Sequence, residues 1–235
     1  MQAVILAGGK GSRLKPFTIN IPKPLVPIDD LPILDVVLRQ LKYYGFKDII
    51  LAVNHLAELI MAFFGKGEKL GLNIIYSVED KALGTAGPLG LLDNLDDNFL
   101  VMNGDLLTTI NYKHLFDYHL KNKCDVTIST YQKDMKIDLG VLEVNKESFV
   151  DYIEKPTYSF TVSMGIYCFN KNVLSHIPAG VIYNMPEFMI KLNSLNKTIK
   201  CYSGDYYWMD IGRVDDYETA VAIFKKRRAE FLRDE

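Results

Sequence analysis

The sequence predicts an α/β protein, three layers (α/β/α) built around a mixed, mostly parallel sheet, and three observations carry that expectation. Short apolar, β-branched runs alternate with longer stretches of helical periodicity through the first half of the chain, which is the rhythm of βαβ units. The first apolar run stops against a glycine cluster, as a strand ending in a loop does. At 235 residues, 49% hydrophobic and 24% charged, the chain can bury a full core without disulfides or a structural metal.

Taken in order, residues 3–6 (Ala3-Val4-Ile5-Leu6) read as a strand, 33–44 as a helix, 48–53 as a strand, 56–64 as a helix and 73–77 as a strand. Residues 99–102 form another buried strand, followed by a helix at 112–121 and a strand at 125–131. After about Asp138 the pattern changes to shorter strands at 140–144, 150–154 and 165–169. They read as a substrate-covering subregion inserted on the same sheet. A helix at 185–194 precedes a closing helix at 214–232, whose acidic start (Asp215, Asp216) and basic end (Lys225, Lys226, Arg227, Arg228) suit the helix dipole. The basic run reads as a solvated helix end. No repeat, low-complexity tract or long linker interrupts residues 1–235, so they read as a single domain.

A net charge of −2 and a pI near 6.1 leave no excess of Lys and Arg for a nucleic-acid or anionic-membrane surface. No apolar stretch approaches the ~18 residues of a membrane-spanning helix, and the first apolar run is too short for a signal peptide. Cys124, Cys168 and Cys201 are odd in number and lack CxxC spacing, so a reduced, cytoplasmic setting is expected. The histidines His55, His114, His119 and His176 lie in or beside helical patterns or turns, where packing or surface roles are expected.

The first strand runs straight into Ala7-Gly8-Gly9-Lys10-Gly11-Ser12-Arg13-Leu14-Lys15, a loop with three glycines and three cations. Glycine permits both positive φ and close backbone approach, so such a loop suits an anion. It is not a P-loop, because Lys10 is followed by Gly11 and then Ser12-Arg13. Nor is it a dinucleotide fingerprint, which would need glycine where Leu14 stands. Further on, Pro22-Lys23-Pro24 brackets a lysine between two residues of fixed φ, which predicts a stiff, non-helical stalk aiming its charge. Asn103-Gly104-Asp105 places a carboxylate beyond the end of a central strand, where open α/β sheets bind ligands, although a lone Asp there is more often a cap or turn residue. Asp210 is a second isolated carboxylate, set among Tyr207, Trp208 and Met209. Glu79 and the segment from Leu83 through Gly84, Thr85 and Gly87 to Leu89 form a second glycine-containing loop, read either as a wall for a base or as a turn leading into a helix.

Leu6-Ala7-Gly8-Gly9-Lys10-Gly11-Ser12-Arg13-Leu14 with Pro22-Lys23-Pro24-Leu25 resembles the signature of the sugar-1-phosphate nucleotidyltransferases, and the likeness extends over nearly the whole chain. The resemblance implies a Rossmann-like catalytic domain with a nucleotide-binding part at about 1–135, a sugar-binding part at about 136–213 and the closing helix at 214–232. It implies that Leu6, Ala7, Gly8, Gly9, Gly11 and Ser12 wrap a nucleoside triphosphate, with Asn103 and Gly104 beside it, and that Arg13 and Lys23 contact the phosphates. Asp105 and Asp210 would hold Mg²⁺, which prefers carboxylates, phosphate oxygens and waters. Arg13, Lys23 and Asp105 are thereby the expected catalytic residues. Glu79, Gly84 and Thr85 would face the base. On the sugar side, Glu154 would hold hydroxyls, Lys155 the sugar phosphate, Gly140 would leave room for the ring and Ser163 would line the same half.

The Leu83–Leu89 stretch looks most like that of mannose-1-phosphate guanylyltransferases, and thymidylyl enzymes carry Gly-Leu-Ala-Gln-Ala there. GTP with a mannose- or heptose-type 1-phosphate is therefore the expected pair, and thymidylyl, uridylyl or cytidylyl transfer to a glucose-type phosphate is the alternative. The chain departs from the family pattern at Ser163-Met164-Gly165, where many relatives have an asparagine before the glycine, and at Arg213-Val214, where Thr-Pro is common. A silent binding module would be expected to lose Arg13, Lys23, Asp105 or Asp210, and a glycosyltransferase to carry Asp-x-Asp in place of Asn103-Gly104-Asp105. No nucleic-acid or membrane partner is expected; a homodimer is compatible with the resemblance.

Overall fold

The computed structural model describes residues 1–233; Asp234 and Glu235, part of the expected single domain, lie outside the described residues. Strands β1 (Gln2–Leu6), β2 (Pro27–Ile28) and β3 (Leu31–Pro32) lead into helix α1 (Ile33–Tyr43). Then come β4 (Asp48–Val53), α2 (Ala57–Phe64), β5 (Asn73–Val78), β6 (Asn98–Asn103), β7 (Leu106–Thr108) and α3 (Tyr112–Lys121). The second half comprises β8 (Val126–Lys136), β9 (Gly140–Asn145), β10 (Ser148–Glu154), β11 (Thr157–Asn170), α4 (Met185–Ser194), β12 (Ile199–Tyr202), β13 (Trp208–Asp210) and α5 (Val214–Phe231).

Seven strands form the main sheet in the order β12-β8-β11-β6-β1-β4-β5. All neighbours pair in parallel except β11, which runs antiparallel to both β6 and β8. The central strand β1 is apolar on both faces because both are covered: Ala3, Val4 and Ile5 are fully buried. Ala3 and Ile5 share a core with Leu34 and Leu38 of α1 and Leu115 of α3, whereas Val4 packs with Phe188 and Leu192 of α4. That alternation gives the three layers. A third core joins Leu14 of the first loop, Val26, Leu107 of β7 and Ile211 to Phe224 of α5. The loops that leave the strand ends are thus mounted on packing of their own.

The chain departs from β1 to β4 on one side and returns through β6 on the other, so the carboxyl ends of β1 and β6 flank a point where the strand order reverses. Such a point leaves a crevice above the sheet. Leu6 stands level with Ala52 of β4 and Asn103 of β6.

Four features differ from the sequence expectation. The strands expected at 125–131 and 165–169 are the inner parts of much longer ones, because β8 and β11 continue pairing out to Lys136 and Thr157. The hairpin β9–β10 pairs only with itself and every β10 side chain is exposed, so it forms a ribbon beside the sheet. Lys23 is not on an extended stalk: Lys23–Leu25 is one 3-10 turn, closed by Leu25 N–H donating to Pro22 O, with only the flanking Pro22 and Val26 extended. The basic end of α5 is not simply solvated, since Lys225 and Arg228 pair with Asp29 and Asp30 in the β2–β3 turn and Arg227 with Glu230. Among the described residues no helix is long and apolar enough to cross a membrane.

Candidate active site

An open cavity of about 330 Å³ lies above the carboxyl ends of β1, β4 and β6. Leu6, Ala52 and Asn103 line it at one level. Ala7, Gly8 and Gly9 form one wall, Gly84 and Thr85 another, and Gly104, Asp105 and Lys23 close the remaining side. Eleven residues expected at a nucleotide or catalytic site are therefore brought together: Leu6, Ala7, Gly8, Gly9, Lys23, Glu79, Gly84, Thr85, Asn103, Gly104 and Asp105. Pro24, Ala52, Ala82 and Pro88 complete the lining. A separate cavity of about 200 Å³ between α1 and the end of α5 has Glu230 as its one acidic wall residue among those described and no glycine loop.

Two of the glycines stand where a side chain would be crowded. A Cβ on Gly8 would stand 3.1 Å from Glu79 Oε1 and 3.2 Å from Asn54 Cβ. Gly11 has φ +60°, a conformation natural to glycine, and a Cβ there would meet Thr18 and Lys23 at 3.0–3.1 Å. Thr18 Oγ1 donates to Gly11 O at 2.7 Å, which ties the loop beside the Lys23 turn. Gly11, Ser12 and Arg13 leave the cavity wall: Ser12–Leu14 is a 3-10 turn whose Leu14 is buried, and Ser12 and Arg13 are exposed.

Lys23 is 8% exposed and its ammonium donates to Asp105 Oδ2, while Asp210 Oδ1 stands 4.0 Å away. The other carboxylate oxygen of Asp105, Oδ1, is buried with no hydrogen-bond partner. A buried acceptor without a partner costs roughly 1–3 kcal/mol, so a cation placed there would relieve it. Asp210 reaches the same place because β13 pairs antiparallel with β7, putting Asp210 opposite Leu106, the residue after Asp105. Burial, then the neighbouring Asp105 charge, push the Asp210 carboxyl above its ordinary value against the opposing pull of Lys23 and Arg13. Arg13 joins them across Gly212, where a Cβ would lie 3.3 Å from Asp210 Oδ2 and 3.7 Å from both Arg13 Nη atoms. Two acids and two cations thus converge beside the cavity. Their donor set fits Mg²⁺, which binds proteins through one or two carboxylates and completes its shell with phosphate oxygens and water.

Glu79 is 7% exposed; its Oε2 accepts from Leu83 N–H at 3.0 Å, and burial raises its pKa more than that hydrogen bond lowers it. Asn54 Nδ2 donates to Glu79 O at 2.6 Å. Gly84 has φ +82° and stands where a Cβ would be 2.6 Å from Tyr183 O. The Thr85 hydroxyl accepts from Met185 N–H at 2.8 Å, so it caps α4 while lining the cavity.

Gly140, Glu154, Lys155 and Ser163 do not line the cavity. Gly140 and Glu154 face each other across the β9–β10 hairpin, and Lys155, at φ +46°, follows on the turn. Ser163 sits at an irregularity of β11, its Oγ 3.0 Å from Tyr167 Oη. The irregularity carries Gly165 (φ +71°) against the Asn103 side chain, and Trp208 Nε1 donates to Met164 O at 3.0 Å. Strand β11 is thereby fastened to the strand ends bearing Asn103 and Asp210. Met164, before that glycine, is fully buried and faces the core.

None of the four histidines lines the cavity. His119 is buried between Thr127 Oγ1 and Asn98 Oδ1 at the opposite end of the sheet, and burial lowers its pKa to about 4. Thr18, Asn54 and Gly212 were not assigned to the site from the sequence, and Gly165 and Trp208 were noted there only as neighbours of Ser163 and Asp210; Gly212, two residues past Asp210, is the one a sequence signal could have flagged.

Residues 2–227 match the family model described as nucleotidyl transferase. The chain is 33% identical over 242 residues to a UTP–glucose-1-phosphate uridylyltransferase of Synechocystis sp., covering 94% of this chain and 62% of that protein. It is also 33% identical over 227 residues to a mannose-1-phosphate guanylyltransferase of Mycobacterium tuberculosis, covering 92% and 62%. The chain thus spans about three-fifths of the length of these curated relatives. Among solved structures, HddC from Yersinia pseudotuberculosis in complex with GMP-PN superposes with a TM-score of 0.72 at 25% identity, covering 95% of this chain and 99% of that one. A Bacillus anthracis structure assigned as a glucose-1-phosphate thymidylyltransferase, in complex with sucrose, gives 0.77 at 25% identity, covering 100% and 96%.

Proposed function

The chain belongs to the nucleotidyl transferase family, and from that premise we propose that it transfers a nucleotidyl group from a nucleoside triphosphate to a sugar 1-phosphate, releasing pyrophosphate. The observation that carries the reading is the meeting of Lys23, Arg13, Asp105 and Asp210 beside a glycine-walled cavity at the strand-order reversal. Residues at about 1–135 hold the nucleotide and those at about 136–213 the sugar phosphate.

A sugar 1-phosphate is largely dianionic at neutral pH, its second pKa being about 6, so the nucleophile needs no general base. One of its phosphate oxygens attacks the α-phosphorus; the new P–O bond forms as the bond to the β-phosphate oxygen breaks, and pyrophosphate leaves in line. The obstacle is repulsion between two polyanions, so catalysis consists of alignment and charge neutralisation. Lys23 meets the α-phosphate from its turn, Arg13 the leaving side, and Lys155 the incoming phosphate. Asp105, through its unpartnered Oδ1, and Asp210 would hold Mg²⁺, which when bound supplies neutralisation of the phosphate charge. The backbone of Ala7, Gly8 and Gly9 wraps the triphosphate.

GTP is the favoured donor, with a mannose- or heptose-type 1-phosphate as acceptor. Glu79 offers the base an anionic acceptor at the cavity wall. Guanine carries two adjacent donors, N1–H and the N2 amino group, on the edge that such a carboxylate would meet, whereas uracil and thymine place carbonyl oxygens on both sides of a single N–H. The GMP-PN complex of the Yersinia relative and the guanylyl relatives support the same reading. A panel of nucleoside triphosphates against several sugar 1-phosphates with Mg²⁺, reading pyrophosphate, tests it. GTP with a mannose-type phosphate should give the highest kcat/KM; preference for UTP and glucose 1-phosphate would remove the donor assignment and leave the reaction class.

A further inference from the structure

The sugar-side hairpin contains a contact that the resemblance does not supply. Tyr152 and Glu154 are two residues apart on β10 and therefore on one face of the ribbon, and Glu154 pairs directly with Gly140. The Tyr152 ring leans diagonally across the ladder, within the reach of long side chains on neighbouring strands. Its hydroxyl donates to Glu154 Oε2 at 2.9 Å. The ring occupies the space over Gly140: a Cβ there would lie 2.0 Å from Tyr152 Oη and 2.3 Å from Cζ, so any side chain at this position would push the Tyr152 ring out of its place. Lys155 Nζ stands 3.9 Å from Glu154 Oε1, leaving that oxygen without a hydrogen bond of normal length to the lysine.

We propose that Tyr152 is a positioning residue for sugar recognition: lying over Gly140, it fixes the Glu154 carboxylate so that Oε1 is presented to a hydroxyl of the sugar 1-phosphate. Gly140 is then glycine because Tyr152 needs the space, rather than because the sugar ring does. The ribbon is otherwise exposed and lacks a packed core to orient its side chains, so a local hydrogen bond takes that part. The inference rests on the proposed transferase reading and specifies its sugar half.

The test is steady-state kinetics on the full chain. Tyr152→Phe should raise KM for the sugar 1-phosphate about three- to tenfold, the loss of one hydrogen bond, with kcat, KM for the nucleoside triphosphate and the melting temperature unchanged. Gly140→Ala should reproduce that rise in the wild-type background and have no effect in a Tyr152→Ala background, where the obstructing ring is gone. A rise caused by Gly140→Ala in both backgrounds would mean that the glycine accommodates the sugar itself and would overturn the proposal. An unchanged sugar KM in Tyr152→Phe, in a protein whose wild type releases pyrophosphate, would overturn the positioning role alone. No pyrophosphate from the wild type with any substrate pair would overturn the transferase reading and this role with it.

Discussion

The glycine-walled cleft and the β9–β10 ribbon are built in opposite ways. In the cleft, Lys23, Glu79 and Leu6 stand on elements fastened to three apolar cores, and the two most informative side chains, Lys23 and Glu79, are 8% and 7% exposed. On the ribbon every β10 side chain is exposed, including Phe149 at 67% and Tyr152 at 53%, and order comes from one strand pairing and a few local contacts. The contrast separates two tasks. In the proposed reaction, bringing two polyanions together demands fixed charges in a partly water-excluded place, where they act most strongly, while choosing a sugar needs only a modest set of hydrogen bonds that can be altered without disturbing the sheet.

The comparison breaks most easily at Lys23. Lys23→Ala should lower turnover by about a thousandfold or more, the scale of losing a preorganised charge at a transition state, and should also destabilise the fold, because the partly buried Asp105 carboxylate would lose its cation. Kinetics and thermal melts on one preparation check both; near-normal turnover would end the idea that the cleft performs the chemistry. Next in size, Asp105→Asn should remove most of the Mg²⁺ dependence of activity together with the activity itself, read by metal titration after chelation. Glu79→Gln should shift relative kcat/KM from GTP toward UTP or dTTP by roughly ten- to a hundredfold, the range of one charge-assisted hydrogen-bond pair.

Asp210 provides a smaller effect of unusual sign. Its carboxyl is raised in the fold by burial and by Asp105, so the ionised form costs the folded state at neutral pH, and that cost is relieved as pH falls through the folded pKa. Asp210→Asn should therefore raise the melting temperature of the metal-free protein at pH 7 and lose that advantage in acid, while abolishing turnover. A drop in melting temperature at pH 7 would show that the Lys23 attraction outweighs the like-charge repulsion. The smallest change is expected on the ribbon: Phe149→Ser should shift stability by no more than about 0.5 kcal/mol, as for other exposed positions, measured by denaturant titration.

Much of the cleft was legible because its chemistry is local in the chain. A glycine loop after a buried strand, a carboxylate after another, and a lysine between prolines are contiguous signals, and the structure gathers eleven of those residues around one cavity. Helices 112–121 and 185–194 were legible to the residue because Asn111 and Asn184 begin them with caps. What escaped depends on distant pairing. The two-residue strands β2 and β3, the short β7 and β13 and the edge strand β12 carry too little pattern to be seen alone, yet the β7–β13 pairing is what carries Asp210 to Asp105. The outer part of β8, Gln132 to Lys136, is too polar to read as a strand without its partner, whereas the alternation of Tyr158, Phe160 and Val162 with Thr and Ser in β11 is a strand signal that went unread. Likewise, the closeness of Arg13 to Gly212 and of Tyr152 to Gly140 is a three-dimensional fact with no counterpart in residue spacing.

In the proposed function the cleft joins a nucleoside triphosphate to a sugar 1-phosphate. The direct measurement is pyrophosphate release by the full chain with both substrates and Mg²⁺, compared with each substrate alone and with Lys23→Ala. The expected result is release that requires both substrates, yields one nucleotide sugar per pyrophosphate, and falls about a thousandfold in the variant. Release without the sugar phosphate, or none with any nucleotide and sugar phosphate tried, would contradict it.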